Sequence, residues 1–332
     1  MKALLSVDPG GPETLQLTNV DKPLCGPNDV LLKVRACGIN YPDALIIEDK
    51  YQFRPERPFA PGGEVIGTIE AVGPEVTDWT KGDRVIALVR WGGMAEFVSC
   101  PAKECLPVPV GMPDEEAAAF IFTYGTSYHA LKNRAALSPG QKLLVLGAAG
   151  GVGLAAVELG KAMGAEVLVG VSSEEKLKVA IDKGADNGLI YPPGPFDKNS
   201  SRELATSFKK LTGKDGANVI YDAIGGAYAE AALRSIAWQG SFLVVGFPAG
   251  IPSIPLNLPL LKGCQIIGVF WGSFCERNPD INALNNKELE QMYIDKKIKP
   301  LVSKTFSLDD AHNGISLLAN RKASGKLVVK IT

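Results

Sequence analysis

The chain has 332 residues, 46% hydrophobic and 21% charged, a globular balance with length enough for two domains. Lys plus Arg number 35 against 36 Asp plus Glu, and a net charge of -1 without a basic block predicts no nucleic-acid partner. No apolar run approaches the ~20 residues of a bilayer span, and Met1 to Gly10 is broken too early for a secretory leader, so no membrane partner and a cytoplasmic location are expected.

The first third reads as β-rich. Val30 to Ala36 alternates apolar and polar residues imperfectly, and Glu64 to Gly73 and Asp83 to Val89 add two further strands. Pro61-Gly62-Gly63, Gly73-Pro74 and Lys81-Gly82-Asp83 punctuate them, as in a barrel-like β domain. Texture changes near Pro113, where an acidic, Ala-rich segment to Ala119 predicts a helix start. A helix-like stretch follows over 126–136. Strand and helix then alternate: strand 142–147, helix 151–163, strand 166–171, helix 174–183, strand 187–190, helix 201–211, strand 217–222, helix 227–237 and strand 240–246. This rhythm predicts an α/β, doubly wound parallel sheet. Asp197 to Ser201 reads as a polar loop.

Strand 142–147 runs directly into Gly147-Ala148-Ala149-Gly150-Gly151-Val152-Gly153 and then into a helix. Glycines let backbone approach a pyrophosphate, and the helix N-terminus offers it free N–H groups. The strand-loop-helix context, with the next strand at the expected spacing, points to a dinucleotide rather than a simple turn. An NAD site places an acid at the end of the following strand, and here Val171 and Ser172 stand in that place. Small hydroxyls with Lys176 suit a 2′-phosphate, so NADPH is expected; alternatively Lys176 is a solvated helix residue. Six scattered cysteines, without a CxxC pair, and only two histidines, His129 and His312, give no metal-ligand spacing and no disulfide framework.

With these motifs in place, the chain resembles the zinc-independent quinone oxidoreductase branch of the medium-chain dehydrogenase/reductase superfamily along its whole length. Ala36 to Asp43 is similar to the segment where zinc alcohol dehydrogenases carry their first metal cysteine, with Asn40 in that place. Pro61-Gly62-Gly63-Glu64 resembles their Gly-His-Glu, with Gly63 at the histidine, and the third metal position falls near Phe122. The resemblance therefore implies no metal. It implies a GroES-like β-barrel catalytic domain over 1–123 plus 266–332 and a Rossmann domain over 124–265. It also implies a homodimer, with cofactor contacts from Asn40, Thr126, Ala149, Gly150, Gly151, Val152, Gly153, Ser172, Lys176, Tyr191, Gly246, Phe247, Phe270, Gly272 and Lys326. Read alone, Tyr191 equally suits a strand-end surface aromatic, and Phe270 with Trp271 a dimer edge.

Without a Lewis acid, an isolated ketone lacks its main electrophilic help. Quinones and α,β-unsaturated carbonyls need less, because hydride addition leaves a delocalised anion that hydrogen-bond donors can stabilise. Candidate catalytic donors are Tyr51, similar in place to the acid tyrosine of enoyl-thioester reductases, then Asn40 and Tyr41. Tyr51 otherwise packs or stacks, and Asn40 otherwise forms a turn. His129 reads as a packed helix residue, Glu64 as the partner of an arginine or a turn cap, and Cys37 as core. The expected reaction is hydride transfer from NADPH to a small-molecule quinone, enal or enone. The alternatives are an enoyl-thioester reductase, which a basic cluster around Arg54, Arg57 and Arg90 would favour, or a non-catalytic NADPH-binding redox sensor.

Overall fold

The computed structural model describes residues 1–331, which form two compact units, 1–122 with 300–331, and 123–299. In the first unit β1 (Lys2–Leu5) and β2 (Gln16–Asn19) form a ribbon. The central strand is β3 (Asp29–Ile39), followed by α1 (Tyr41–Ile46), β4 (Glu64–Val72), β5 (Arg84–Leu88), β6 (Phe97–Pro101), β7 (Cys105–Pro107) and α2 (Asp114–Ala117). Along one edge β3 pairs with β4, and its first half also pairs with β6. Lys33 and Arg35 face solvent while Leu32, Val34 and Ala36 are buried, the alternation of a sheet covered on one face. Beneath it lies an apolar core including Leu4, Leu32, Ile39, Ile47, Val65 and Met94.

The second unit begins within α3 (Ile121–Tyr128), which widens into a π-type turn over His129–Arg134. Its elements are β8 (Lys142–Leu146), α4 (Gly151–Ala162), β9 (Glu166–Val171), α5 (Glu174–Asp182), β10 (Asn187–Ile190), α6 (Lys198–Thr212), β11 (Ala217–Asp222), α7 (Gly226–Leu233), β12 (Ile236–Val244), α8 (Asn257–Lys262), β13 (Gln265–Gly268), α9 (Trp271–Arg277) and α10 (Pro279–Ile294). The six strands form one parallel sheet in the order β10-β9-β8-β11-β12-β13. Leu143 to Leu146 are fully buried, as expected for a strand covered on both faces. The chain then returns to the first unit as β14 (Val302–Ser307), α11 (Ala311–Ala319) and β15 (Lys326–Lys330), with β15 joining the upper half of β3.

Four expectations are corrected. The return to the first unit lies at Pro300 rather than 266, because β13 hydrogen-bonds to β12 and extends the parallel sheet. The helix expected to 237 stops at Leu233, since Ile236 already pairs with Ala217 and starts β12. The helix expected from 126 begins at Ile121. Asp197 to Ser201 is a helix start: the Asp197 carboxylate accepts the Asn199 and Ser200 backbone N–H groups and caps α6.

Candidate functional site

In the second unit the chain builds β8, β9 and β10 outward, then crosses back to place β11 on the other side of β8. The carboxyl ends of β8 and β11, with Leu146 beside Asp222, are therefore the switch point where an open α/β sheet leaves a crevice. The glycine loop lies there. Gly147 has φ +70, a conformation that favours glycine, and a Cβ on Gly153 would stand 2.2 Å from the Gly147 carbonyl oxygen. Glycine at 153 lets α4 start against the strand end. No side chain caps the α4 N-terminus, so the N–H groups of its first turn are left for a ligand. Ala149, Gly150, Gly151, Val152 and Gly153 thus form a cradle suited to a pyrophosphate. Ser127 donates its hydroxyl to the Val152 carbonyl at 2.8 Å and is 2.9 Å from the buried Tyr221 hydroxyl. That brace sets the first turn of α4 and brings Thr126 to the same end of the unit.

At the end of β9, Ser173 caps α5, and Lys176 Nζ donates to the Ser172 hydroxyl at 3.2 Å. Two hydroxyls and an ammonium gather there, with Val171 where a carboxylate would hold a ribose. Tyr191 follows β10 on the adjoining strand, but it is 4% exposed. Its ring packs on Gly170 and against Tyr228, with centroids 4.7 Å apart, so it is a buried wall and not a surface aromatic. Gly246 and Phe247 continue from β12, and a Cβ on Gly225 would approach Phe247 to 3.1 Å. Phe247 and Phe270 keep exposed faces, and Gly272 has open space where a side chain would be. Trp271 departs from the edge expected for it: it is buried against Gly125 with its Nε1 donating to Asn282.

Asp222 is a site residue that sequence reading missed. Its Oδ1 accepts the Ile224 and Gly225 N–H groups and closes the loop after β11, while burial raises its carboxyl to about 6. Only the strand order makes the end of β11 recognisable as part of the switch point. His129 is packed, as expected: it stacks on Phe274, and burial holds its imidazole below the ordinary range.

In the first unit the expected metal-ligand segments meet in a buried polar network. Glu64 is fully buried. Its Oε1 accepts the Phe122 N–H at 2.9 Å, and its Oε2 accepts Lys326 Nζ and Asn40 Nδ2, each at 3.1 Å. Lys326 Nζ also donates to Asn40 Oδ1 at 2.6 Å. The partner of Glu64 is therefore a lysine rather than an arginine. The second hydrogen of Asn40 Nδ2 is directed at the Gly38 carbonyl, 3.3 Å away. Both hydrogens of the Asn40 amide thus have partners inside the protein, while its Oδ1 accepts from Lys326. Lys326, expected at the cofactor, is likewise held by Asn40 and Glu64.

Asp43 reinforces the same corner. Its two oxygens accept the Asn40 and Gly62 N–H groups, and burial raises its carboxyl to about 6. Tyr51 lies in the bend after α1, half-buried, with its ring edge-on to Phe53. Burial, then the nearby Asp43, raises its phenol, and its hydroxyl has no hydrogen-bond partner among the described residues. Tyr41 opens α1, half-buried and also without such a partner. Of the three arginines, Arg57 is engaged by Asp49, Ser6 and the Ile47 carbonyl, Arg90 lies over the Phe53 ring, and Arg54 is exposed.

Residues 26–110 match the family model described as the alcohol dehydrogenase GroES-like domain, and residues 151–286 match that of the zinc-binding dehydrogenases. The chain is 36% identical to the quinone oxidoreductase-like protein 2 homolog of Nematostella vectensis over 92% of this chain and 82% of that protein. It is 30% identical to human quinone oxidoreductase over 99% and 97% of the two chains. Among solved structures, the Thermus thermophilus quinone oxidoreductase, also determined as its NADPH complex, is similar with a TM-score of 0.83, 32% identity and coverage of 99% and 100%. The zinc in the second family description has no counterpart in the side chains here. The three expected ligand positions hold an amide committed to Lys326 and Glu64, a glycine and a phenylalanine, and no group of three or more His, Cys, Asp or Glu among the described residues is placed to hold a metal ion.

Proposed function

The chain belongs to the quinone oxidoreductase branch of the medium-chain dehydrogenase/reductase superfamily, and from that premise we propose that it reduces quinones or α,β-unsaturated carbonyls with NADPH and no metal. The observation that carries the reading is the uncapped α4 N-terminus behind a glycine loop, joined to a β9 end with hydroxyls and an ammonium in place of an acid. When bound, NADPH supplies the hydride. Gly150 to Gly153 take the pyrophosphate on backbone N–H groups, and Ser172 with Lys176 takes the 2′-phosphate. Thr126, Gly246 and Gly272 line the nicotinamide end with Phe247 and Phe270, and the Tyr191 wall stands at the adenosine end beside the 2′-phosphate position. Tyr51, its proton held more tightly by burial, is the first choice for a hydrogen-bond donor to the acceptor, with Tyr41 second.

The same reading includes a cytoplasmic homodimer that binds neither nucleic acid nor membrane. No helix among the described residues is long and apolar enough to cross a membrane. Support for the dimer comes from β13, an edge strand of the parallel sheet, with exposed Trp238, Leu256, Leu260, Leu261 and Ile266 on and near it. The test is steady-state oxidation of NADPH, and of NADH, with an ortho-quinone, a 2-alkenal and crotonyl-CoA, each with and without chelator. NADPH-preferring, chelator-insensitive turnover of the quinone or the enal is expected. Turnover confined to crotonyl-CoA would make it a thioester reductase, and tight NADPH binding without turnover a sensor.

A further inference from the structure

We propose that Asp222 is a positioning residue for the nicotinamide half of the cofactor, acting through the loop after β11 to fix the loop after β12 beside the glycine loop; this rests on the NADPH reading above. Asp222 ends β11 between two neighbours, paired with Leu146 of β8 on one side and Val244 of β12 on the other. Its Oδ1 accepts the Ile224 and Gly225 N–H groups at 3.0 and 2.9 Å and so shapes the loop after β11. Its backbone carbonyl accepts the Val245 and Gly246 N–H groups at 3.0 and 3.3 Å, where the chain leaves β12. One residue therefore holds the start of both loops.

The loops are also joined to each other. The Ala249 N–H donates to the Ile224 carbonyl at 2.9 Å, and the Gly226 N–H donates to the Gly250 carbonyl at 2.6 Å. The segment carrying Gly246 and Phe247 is thus pinned at one end by Asp222 and at the other by the loop that the Asp222 side chain shapes. Gly226 has φ +57, and a Cβ there would stand 2.5 Å from the Ala249 carbonyl oxygen, so the two backbones meet with no room for a side chain. On its other side the β11 loop rests on the glycine loop, since a Cβ on Gly147 would stand 2.8 Å from an Ile224 side-chain carbon. The carboxylate thereby sets the spacing between the pyrophosphate cradle and the wall of the nicotinamide.

Hydride transfer depends on that spacing, because a reacting carbon misplaced by about 1 Å can lose two orders of magnitude in rate. The adenosine half is read elsewhere, at the end of β9, by Ser172 and Lys176. Loss of the Asp222 carboxylate should therefore fall unequally on the two halves of the cofactor.

The test compares three variants, with thermal melts confirming the fold of each. Asp222→Ala removes the acceptor, whereas Asp222→Asn keeps an amide oxygen for both N–H groups. Gly226→Ala forces the loops apart and leaves Asp222 in place. The ligands are NADPH and adenosine 2′,5′-bisphosphate, which carries the 2′-phosphate but no nicotinamide. Asp222→Ala and Gly226→Ala should each raise NADPH Kd about tenfold while the bisphosphate stays within about twofold, and Asp222→Asn should bind both within about twofold of wild type. A second readout needs no ligand: amide hydrogens of residues 245–250 should exchange faster in Asp222→Ala, with those of β9 unmoved. Equal weakening of both ligands in folded Asp222→Ala, or weakening of neither, would overturn the proposal. If wild type binds neither ligand the NADPH reading itself fails, and the exchange rates still decide whether Asp222 holds the β12 loop.

Discussion

The two centres are built from opposite materials. The glycine loop after β8 works through backbone: consecutive residues 147–153, one helix N-terminus and almost no side chains. The corner in the first unit works through side chains, Asn40, Glu64 and Lys326, the first and last of them 286 positions apart. A backbone site is specified locally and tolerates little added volume, whereas a side-chain network is specified by the fold and tolerates little change of charge. Glycine substitutions break this comparison most severely, because both centres also need close approach. A Cβ at Gly38 would lie 1.8 Å from the Ala118 carbonyl oxygen, against 2.2 Å between a Cβ at Gly153 and the Gly147 carbonyl. Gly38→Ala should cost the first unit about 3 kcal/mol or more, at or above the upper end for overpacking, read as a lowered denaturation midpoint. Gly153→Ala should also destabilise, but its defining effect should be loss of measurable NADPH binding in the protein that remains folded. Retention of NADPH affinity by Gly153→Ala would sink the assignment of that loop.

A finer contrast lies in the two buried aspartates. Both carboxyls are raised to about 6 from an ordinary 3.8, mainly by burial. The folded protein thus holds these protons more tightly than the unfolded chain. The stabilising contribution is complete below pH 3.8 and is lost as pH rises through about 6. Asp222 uses one oxygen for both of its backbone donors, so Asp222→Asn keeps those bonds and drops the buried charge. It should be neutral or stabilise at pH 7 by on the order of 1–2 kcal/mol, with a smaller gain at pH 4.5. Asp43 uses both oxygens, so Asp43→Asn sets an amide N–H₂ against a backbone N–H and should destabilise by about 1–3 kcal/mol. Denaturation curves at the two pH values check both signs.

The parallel sheet and the glycine loop were legible because strand, loop and helix are contiguous and each obeys a local rule. Even there boundaries slipped where tertiary pairing overrode texture, as at Ile236, which joins a strand although the run before it is helical. β13 was assigned to the wrong unit because a short apolar strand bears no mark of the sheet it will join. Asn40, Glu64 and Lys326 were each singled out, but their partnership was invisible: nothing local tells an amide that its hydrogens will be consumed by a carboxylate 24 residues later. Asp222 escaped notice because its importance comes from strand order alone.

Ser127 tests whether the backbone centre is as independent of side chains as it looks. It is fully buried, its hydroxyl bonds the Val152 carbonyl, and it shares a hydrogen bond with Tyr221. Ser127→Ala should cost about 1–2 kcal/mol, much of it from the stranded Tyr221 hydroxyl, and Ser127→Ala/Tyr221→Phe should recover part of that. NADPH Kd should rise by roughly fivefold, about 1 kcal/mol, in the single variant. An unchanged Kd would mean that α4 keeps its first turn without the brace.

The smallest expected effect concerns choice of cofactor. Lys176 stands on the first turn of α5, its Nζ on the Ser172 hydroxyl, partly exposed at the end of β9. Glu174 and Glu175 precede it and weaken the local positive potential. A point charge in such a setting contributes little, about 1 kcal/mol to a phosphate contact screened by solvent. Lys176→Ala should therefore lower the ratio of NADPH to NADH kcat/KM by roughly fivefold through KM for NADPH, with NADH kinetics unmoved. The preference should also shrink in wild type as salt rises from 0.05 to 0.5 M, and the variant should show a shallower dependence. If NADH kinetics change in parallel, Lys176 holds α5 in place rather than reading the 2′-phosphate, and discrimination falls to Ser172, Ser173 and the missing acid.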